Sequence, residues 1–346
     1  MELINELLAY NRESVCVNFI RCPLELADRR YGMEKGFRTI RRVKTDEIHI
    51  RDPFVFPYKK ENKYYLFGTT FADGCGDKDP IFEVYVSENL DDWEGPYVAF
   101  NPPKGFWGVR HYWAPEVFEI DGRFYMFATF KGGIGEHRGT GILVSDHPAG
   151  PYKPHSEGPV TPKHWECLDG TFYEDRNGQR WIVFCHEWTQ EYDGKIKAIR
   201  LTEDLKESYG EVIEILKASS MKWIRPFRDP RIEKEGFLTD APFMYEAKNG
   251  ELIMLWSSYS KPNYGDTGYG GYAVAVARSK SGNMDGPWTH DETLLLDRNA
   301  GHASLFRDFQ GQLYISVHSP DTPHGNERAL FIKVQERENG LEIVDH

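Results

Sequence analysis

Three aspartates, Asp52, Asp169 and Asp240, each open an apolar run, and a histidine, His302, opens a fourth. Asp240 stands in TDAPFMYEAKNGELIMLWSSY, Asp52 in RDPFVFPYKKENKYYLFGTT, Asp169 in LDGTFYEDRNGQRWIVFCHEW and His302 in GHASLFRDFQGQLYISVHSP. Carboxyl groups gathered at one point repel one another and raise each other's proton affinity. Two of them, with room between for a water and a sugar ring, are the machinery of single-displacement glycoside hydrolysis. One takes a proton from water while the other protonates the departing oxygen, and their expected separation is roughly 6.5–9.5 Å.

Residues so far apart in sequence need a fold that repeats. A fifth segment, WAPEVFEIDGRFYMFATF from Trp113, shares the pattern: an alternating strand, a polar turn and a second, more apolar strand, the form of a hairpin. The aligned positions are Asp52, Ala114, Asp169, Asp240 and His302, a repeat of about 60 residues. A second repeat, EGPY, AGPY and DGPW, closes outer strands near Tyr97, Tyr152 and Trp288 with a Gly-Pro turn. One such period accommodates a four-stranded antiparallel sheet. Five of them make an all-β chain, a five-bladed β-propeller over residues 45–346. Residues 1–44 form an N-terminal extension, helical or irregular, with helical spacing at Leu3, Leu7 and Leu8, and are expected to pack on the propeller. In a propeller the innermost strands border the axis, so the aligned residues converge on one funnel.

Composition narrows the partners. The net charge of −12 disfavours nucleic acid and anionic membrane surfaces, and no run approaches the ~18 apolar residues of a membrane span. Aromatic residues are 14% of the chain and offer faces that stack on sugars, so the expected partner is an oligosaccharide. The cysteines, Cys16, Cys22, Cys75, Cys167 and Cys185, have no metal or redox spacing and read as free thiols. With no basic start followed by an apolar block at the N-terminus, the expected location is cytoplasmic, with a processed secreted form as the alternative. No HExxH, GxSxG or Walker motif is present.

The ordered set RDP, WAPE, LDGTFYED, TDAPF and GHAS resembles the blade motifs of glycoside hydrolase family 43. That resemblance implies an inverting glycosidase that needs no cofactor. By it, Asp52 resembles the general base, Asp169 the carboxylate that tunes the acid, and His302 the axial histidine that helps hold a hydrated calcium ion in the central channel. Where the family carries Glu-Gly-Pro this chain has Asp240-Ala241-Pro242, which leaves two readings of the acid. Glu187, at the end of WIVFCHEW beside Trp188, is the first choice, with Asp240 then binding sugar hydroxyls or orienting the donor. Asp240 itself is the second. His111, Trp113, Glu116, Trp165, Trp188 and Arg228 are the expected substrate contacts. α-L-Arabinofuranosidase is the expected activity, with β-xylosidase and β-galactofuranosidase as neighbours. An inactive sugar-binding propeller and a glycoside phosphorylase are the rivals from other classes.

Overall fold

The computed structural model describes residues 38–70, 80–228, 234–262, 264, 270–338 and 340–344. The expected helical segment near Leu3 therefore lies outside the described residues, as do Cys16, Cys22 and Cys75.

Each of the five sequence repeats folds into an antiparallel sheet, as the hairpin pattern predicts. Blade 1 runs through Arg51–Tyr58, Lys63–Thr69, Phe82–Ser87 and Asp92–Phe100. Blade 2 comprises Arg110–Ile120, Arg123–Lys131, Arg138–Ser145 and Lys153–Pro154. Cys167–Glu174, Arg180–His186, Lys195–Leu201 and Ser208–Lys217 form blade 3. Blade 4 is Asp240–Glu246, Leu252–Tyr259, Tyr272–Ser279 and Trp288–His290, and blade 5 is Gly301–Arg307, Leu313–Ser319, Arg328–Arg337 and Gly340–Ile343. One boundary differs from expectation. Arg41–Lys44, assigned to the extension, is a fifth strand on the outer edge of blade 1, paired with Asp92–Phe100.

Burial follows position in the blade. Second strands such as Arg180–His186 and Leu252–Tyr259 are covered on both faces by neighbouring blades and read as continuous apolar runs. Outer strands such as Ser208–Lys217 are largely exposed or half-buried. The core lies between the blades. Phe54 of blade 1 packs on Phe118 of blade 2 at 5.7 Å, and Phe118 on Phe172 of blade 3 at 5.5 Å. Phe54 also meets Phe243 of blade 4, which is not its neighbour in the ring, at 6.4 Å. Such a contact crosses the axis, so aromatic rings plug part of the channel.

The ring closes between blades 5 and 1 through side chains. Ser316 and Ser304 donate to the carbonyl of Pro53 at 2.8 and 3.3 Å. Arg51 pairs with Asp321 at 2.9 Å and with Glu327 at 2.8 Å.

Candidate active site

Every inner strand begins with the same irregularity. The ladder runs Arg51 opposite Thr69, Trp113 opposite Thr129, Leu168 opposite Cys185, Asp240 opposite Ser257 and Gly301 opposite His318, then skips two residues. The first residue of each bulge has positive φ: Asp52 at 53°, Ala114 at 45°, Asp169 at 52°, Ala241 at 50° and His302 at 54°. Left-handed backbone in residues other than glycine costs roughly 1–3 kcal/mol, and bulges re-aim side chains where pairing ends. This geometry corrects the repeat alignment by one residue in blade 4. Ala241, not Asp240, is the structural equivalent of Asp52 and Asp169. Proline or glycine follows the bulge residue in four of the blades, and aligning those residues would have found the register.

The bulges converge as the repeat predicts. His302 Nδ1 lies 3.0 Å from Asp52 Oδ1 and 3.8 Å from Asp169 Oδ2. One atom each of Asp169, Asp240 and His302 lie within 4.8 Å of one another. Around them stand groups that the sequence reading missed. Thr69 donates to Asp52 Oδ2 at 2.6 Å. Tyr272 donates to Asp240 Oδ2 at 2.6 Å. The Asp52 N–H donates to His318 Nδ1 at 3.2 Å, and His318 Nε2 faces Asp321 at 3.3 Å, which fixes the tautomer with its proton on Nε2. Thr69 and His318 occupy one ladder position in successive blades, a signal that aligning the second strands would have exposed.

The electrostatics divide these carboxyls into two kinds. Burial alone would raise Asp52, but His302 and Arg51 outweigh it and hold Asp52 far below the usual carboxylate range. Burial and then the Asp240 charge push Asp169 well up, against the pull of His302. The Asp240 carboxyl lies beside that of Asp169, with one atom of each within 4.8 Å of the other. His302, which burial alone would discharge, is raised to about 10 by Asp52 and Asp169. It is an imidazolium at neutral pH. By their spacing, Asp169, Asp240 and His302 are the residues that would hold the calcium ion that the sequence suggested.

Glu187 is buried beside this group but differently partnered. Its carboxylate pairs with Arg138 and accepts from Thr189 at 2.6 Å. Burial raises it, against Arg138 and Thr189. Arg138 also binds Glu166 at 2.9 Å, and Lys131 binds Glu166 at 2.7 Å. Arg138 lies over the Trp113 ring at 5.4 Å, and His111 stacks on Trp113 at 4.2 Å. Burial, then Arg138, Arg110 and Lys131, lower His111 to about 4, so it is neutral. Trp165 stacks on His186 at 4.4 Å and is half-buried. These residues form a wall on the blade 2 and blade 3 side.

Three expected contacts are placed otherwise. Trp188 is only 6% exposed and packs on Gly236, where a Cβ would come within 2.2 Å of its ring, so it is a core residue. Arg228 has a side chain 79% exposed and pairs with Glu235, on a two-stranded ribbon with Glu235–Gly236. Glu116 is buried next to Thr171 and lifted to about 7 by burial, against Thr171 and His302. One of its oxygens has no hydrogen-bond partner among the described residues. Cys167 and Cys185 are free thiols, as expected, packed into different clusters of the core.

Comparison with known proteins agrees with this geometry. A crystal structure of an endo-arabinase from Bacteroides thetaiotaomicron VPI-5482 superposes with a TM-score of 0.77 at 37% identity, over 88% of this chain and 99% of that one. An extracellular endo-α-(1→5)-L-arabinanase of Thermotoga petrophila is 25% identical over 76% of this chain, which spans 55% of that protein's length. An extracellular exo-α-(1→5)-L-arabinofuranosidase of Cellvibrio japonicus is 25% identical over 75% of the chain and 71% of its own length. Two relatives named as extracellular overturn the expectation of a cytoplasmic enzyme. No helix among the described residues is long and apolar enough to cross a membrane. The family described as Glycosyl hydrolases family 43 matches residues 47–340, and the chain belongs to it.

Proposed function

We propose that this chain hydrolyses α-L-arabinofuranosyl linkages of arabinan-type oligosaccharides by single displacement. The observation that carries the reading is the division of the axial carboxyls. Asp52 is held ionised by His302 and Arg51, while burial and the neighbouring Asp240 charge raise the proton affinity of Asp169. A base and an acid in one funnel are what inversion requires.

In the proposed reaction a water oxygen attacks the anomeric carbon and its proton passes to Asp52. The glycosidic bond breaks as Asp240 gives its proton to the departing oxygen. A base with such low proton affinity takes the proton late, once bonding to the anomeric carbon has made the water acidic. Asp169 lies beside Asp240, and Tyr272 holds one oxygen of Asp240 so that the other is left to donate. Asp240 is preferred over Glu187 because Asp240 lies with Asp169 and His302 at the axis, whereas Glu187, although burial raises its proton affinity, is tied to Arg138 and Thr189. The cations Lys131 and Arg138 are neutralised by Glu166 and Glu187, which favours water over phosphate as the acceptor.

A xylosidase is the second reading, favoured by a relative from Humicola insolens named xylosidase/arabinosidase, 25% identical over 66% of this chain. Initial rates on linear α-1,5-arabinan, aryl α-L-arabinofuranosides and aryl β-xylosides, for wild type beside Asp52→Asn, test both. Turnover of the arabinosides that is lost in the variant is expected. Turnover of xylosides alone moves the assignment to the second reading. Equal rates in both proteins remove Asp52 as the base.

A further inference from the structure

The bulges are tied together by a repeated latch, and blade 3 breaks it. In four blades the bulge N–H donates to a side chain on the second strand of the preceding blade. Ala114 donates to Thr69 at 2.9 Å, Asp169 to Thr129 at 2.8 Å, His302 to Ser257 at 3.0 Å and Asp52 to His318 at 3.2 Å. All four acceptors occupy one ladder position, opposite the residue before the bulge. In blade 3 that position is Cys185. A thiol is a weak acceptor. The Ala241 N–H goes instead to Asp169 Oδ2 at 3.2 Å.

Blade 1 supplies the internal comparison. There the order is Ala114 N–H to Thr69 hydroxyl to Asp52 carboxylate, with the hydroxyl between backbone and carboxylate. Blade 3 omits the hydroxyl, and its carboxylate grips the next blade's backbone directly, at the residue after Asp240. Restoring an intervening hydroxyl would set the carboxylate back by about 2–3 Å, the length of one O–H···O bond. Asp240 has a short side chain, so the placement of its segment decides what its carboxyl reaches.

We propose that Cys185 is a positioning residue. By leaving the Ala241 N–H to Asp169, it draws Asp169 against the Asp240–Ala241 segment and sets Asp240 as proton donor. The groups facing Asp169 are Asp240, His302, Asp52 and Arg138, and Cys185 is the uncharged member of the shell that selects which of them it touches.

This inference rests on the hydrolase reading above, and leaving-group dependence separates the two. An arabino-oligosaccharide needs its departing oxygen protonated, whereas a 2,4-dinitrophenyl arabinofuranoside does not. Cys185→Thr installs the hydroxyl that blades 1 and 2 use. The expected result is a fall in kcat on the oligosaccharide of about tenfold or more, within the contribution of a positioned acid, at unchanged KM and with the dinitrophenyl rate preserved. Cys185→Ala, which empties the same space without adding an acceptor, should keep the wild-type ratio of the two rates. Should Cys185→Thr not fold, the isosteric Cys185→Ser is read in its place. Equal losses on both substrates, or the same ratio in the Thr (or Ser) and Ala variants, would overturn the proposal. A wild type silent on both substrates removes the hydrolase reading and the inference with it.

Discussion

Glu116 offers a test of the electrostatic account that needs no substrate. It pairs with Phe127 on the inner hairpin of blade 2, is 8% exposed, and is pushed by burial from the ordinary 4.5 to about 7, against smaller opposing effects of Thr171 and His302. A carboxyl whose proton affinity is raised on folding keeps its proton in the folded chain while the unfolded chain has released it. Its stabilising effect is therefore complete below about pH 4.5 and declines as pH rises to about 7, beyond which it is constant. At 1.36 kcal/mol per pH unit the decline amounts to about 3 kcal/mol. Glu116→Gln lacks this contribution. Its stability minus that of wild type should therefore rise by about 3 kcal/mol between pH 4.5 and pH 8, whatever the fixed packing cost of the amide. Urea unfolding of both proteins at half-unit intervals measures the difference. Parallel curves would refute the reasoning, because they would mean that Glu116 is ionised in the folded protein and that its burial is relieved by something else.

Three further outcomes follow from the same geometry. His302, raised to about 10, should show both ring nitrogens protonated in 15N spectra up to about pH 9; its stabilising effect is full below about 6.5 and is lost as pH rises through 10, so a neutral ring at pH 7.5 would contradict the Asp52 contact. Asp240→Asn should slow the oligosaccharide by 10²-fold or more, within the range of about 10²–10⁴ for an acid catalyst, while sparing a dinitrophenyl glycoside, and Glu187→Gln should not separate the two substrates; the reverse pattern assigns the donor to Glu187. Arg51→Met leaves Asp321 and Glu327 buried without their cation and should cost about 3 kcal/mol in unfolding measurements; a loss under 1 kcal/mol would show that other groups close the ring.

Much of this architecture was legible because a propeller writes its geometry as repetition. Hairpin turns, Gly-Pro corners and the order of the acidic entrances located five blades and brought Asp52, Asp169 and His302 to one axis. The alignment failed by one residue at Asp240, since Thr-Asp-Ala-Pro looks like the Asp entrances of blades 1 and 3 while the bulge falls on Ala241. A bulge is a backbone event, and an acidic residue on either side of it reads alike in sequence. Trp188 and Arg228 illustrate a different gap. Both stand near strand entrances, but whether an aromatic or a guanidinium faces the funnel depends on packing by a distant segment, as Gly236 covers Trp188. The contacts of His318, Tyr272 and Arg138 with the axis and its wall are long-range for the same reason. The strand position shared by Thr69, Thr129, Cys185, Ser257 and His318 was present in the sequence, and it becomes meaningful once the second strands are aligned as well as the first.

Single displacement needs an ionised Asp52 as the base and Asp240, beside the raised Asp169, as the proton donor. Proton NMR of the first product released from an α-L-arabinofuranoside, recorded before mutarotation, tests it most directly. The β-anomer of arabinose, or of the new reducing end, should appear first, and Asp52→Asn should abolish its formation. Initial release of the α-anomer would mean a covalent intermediate and would contradict the assignment of Asp52 as a base that activates water.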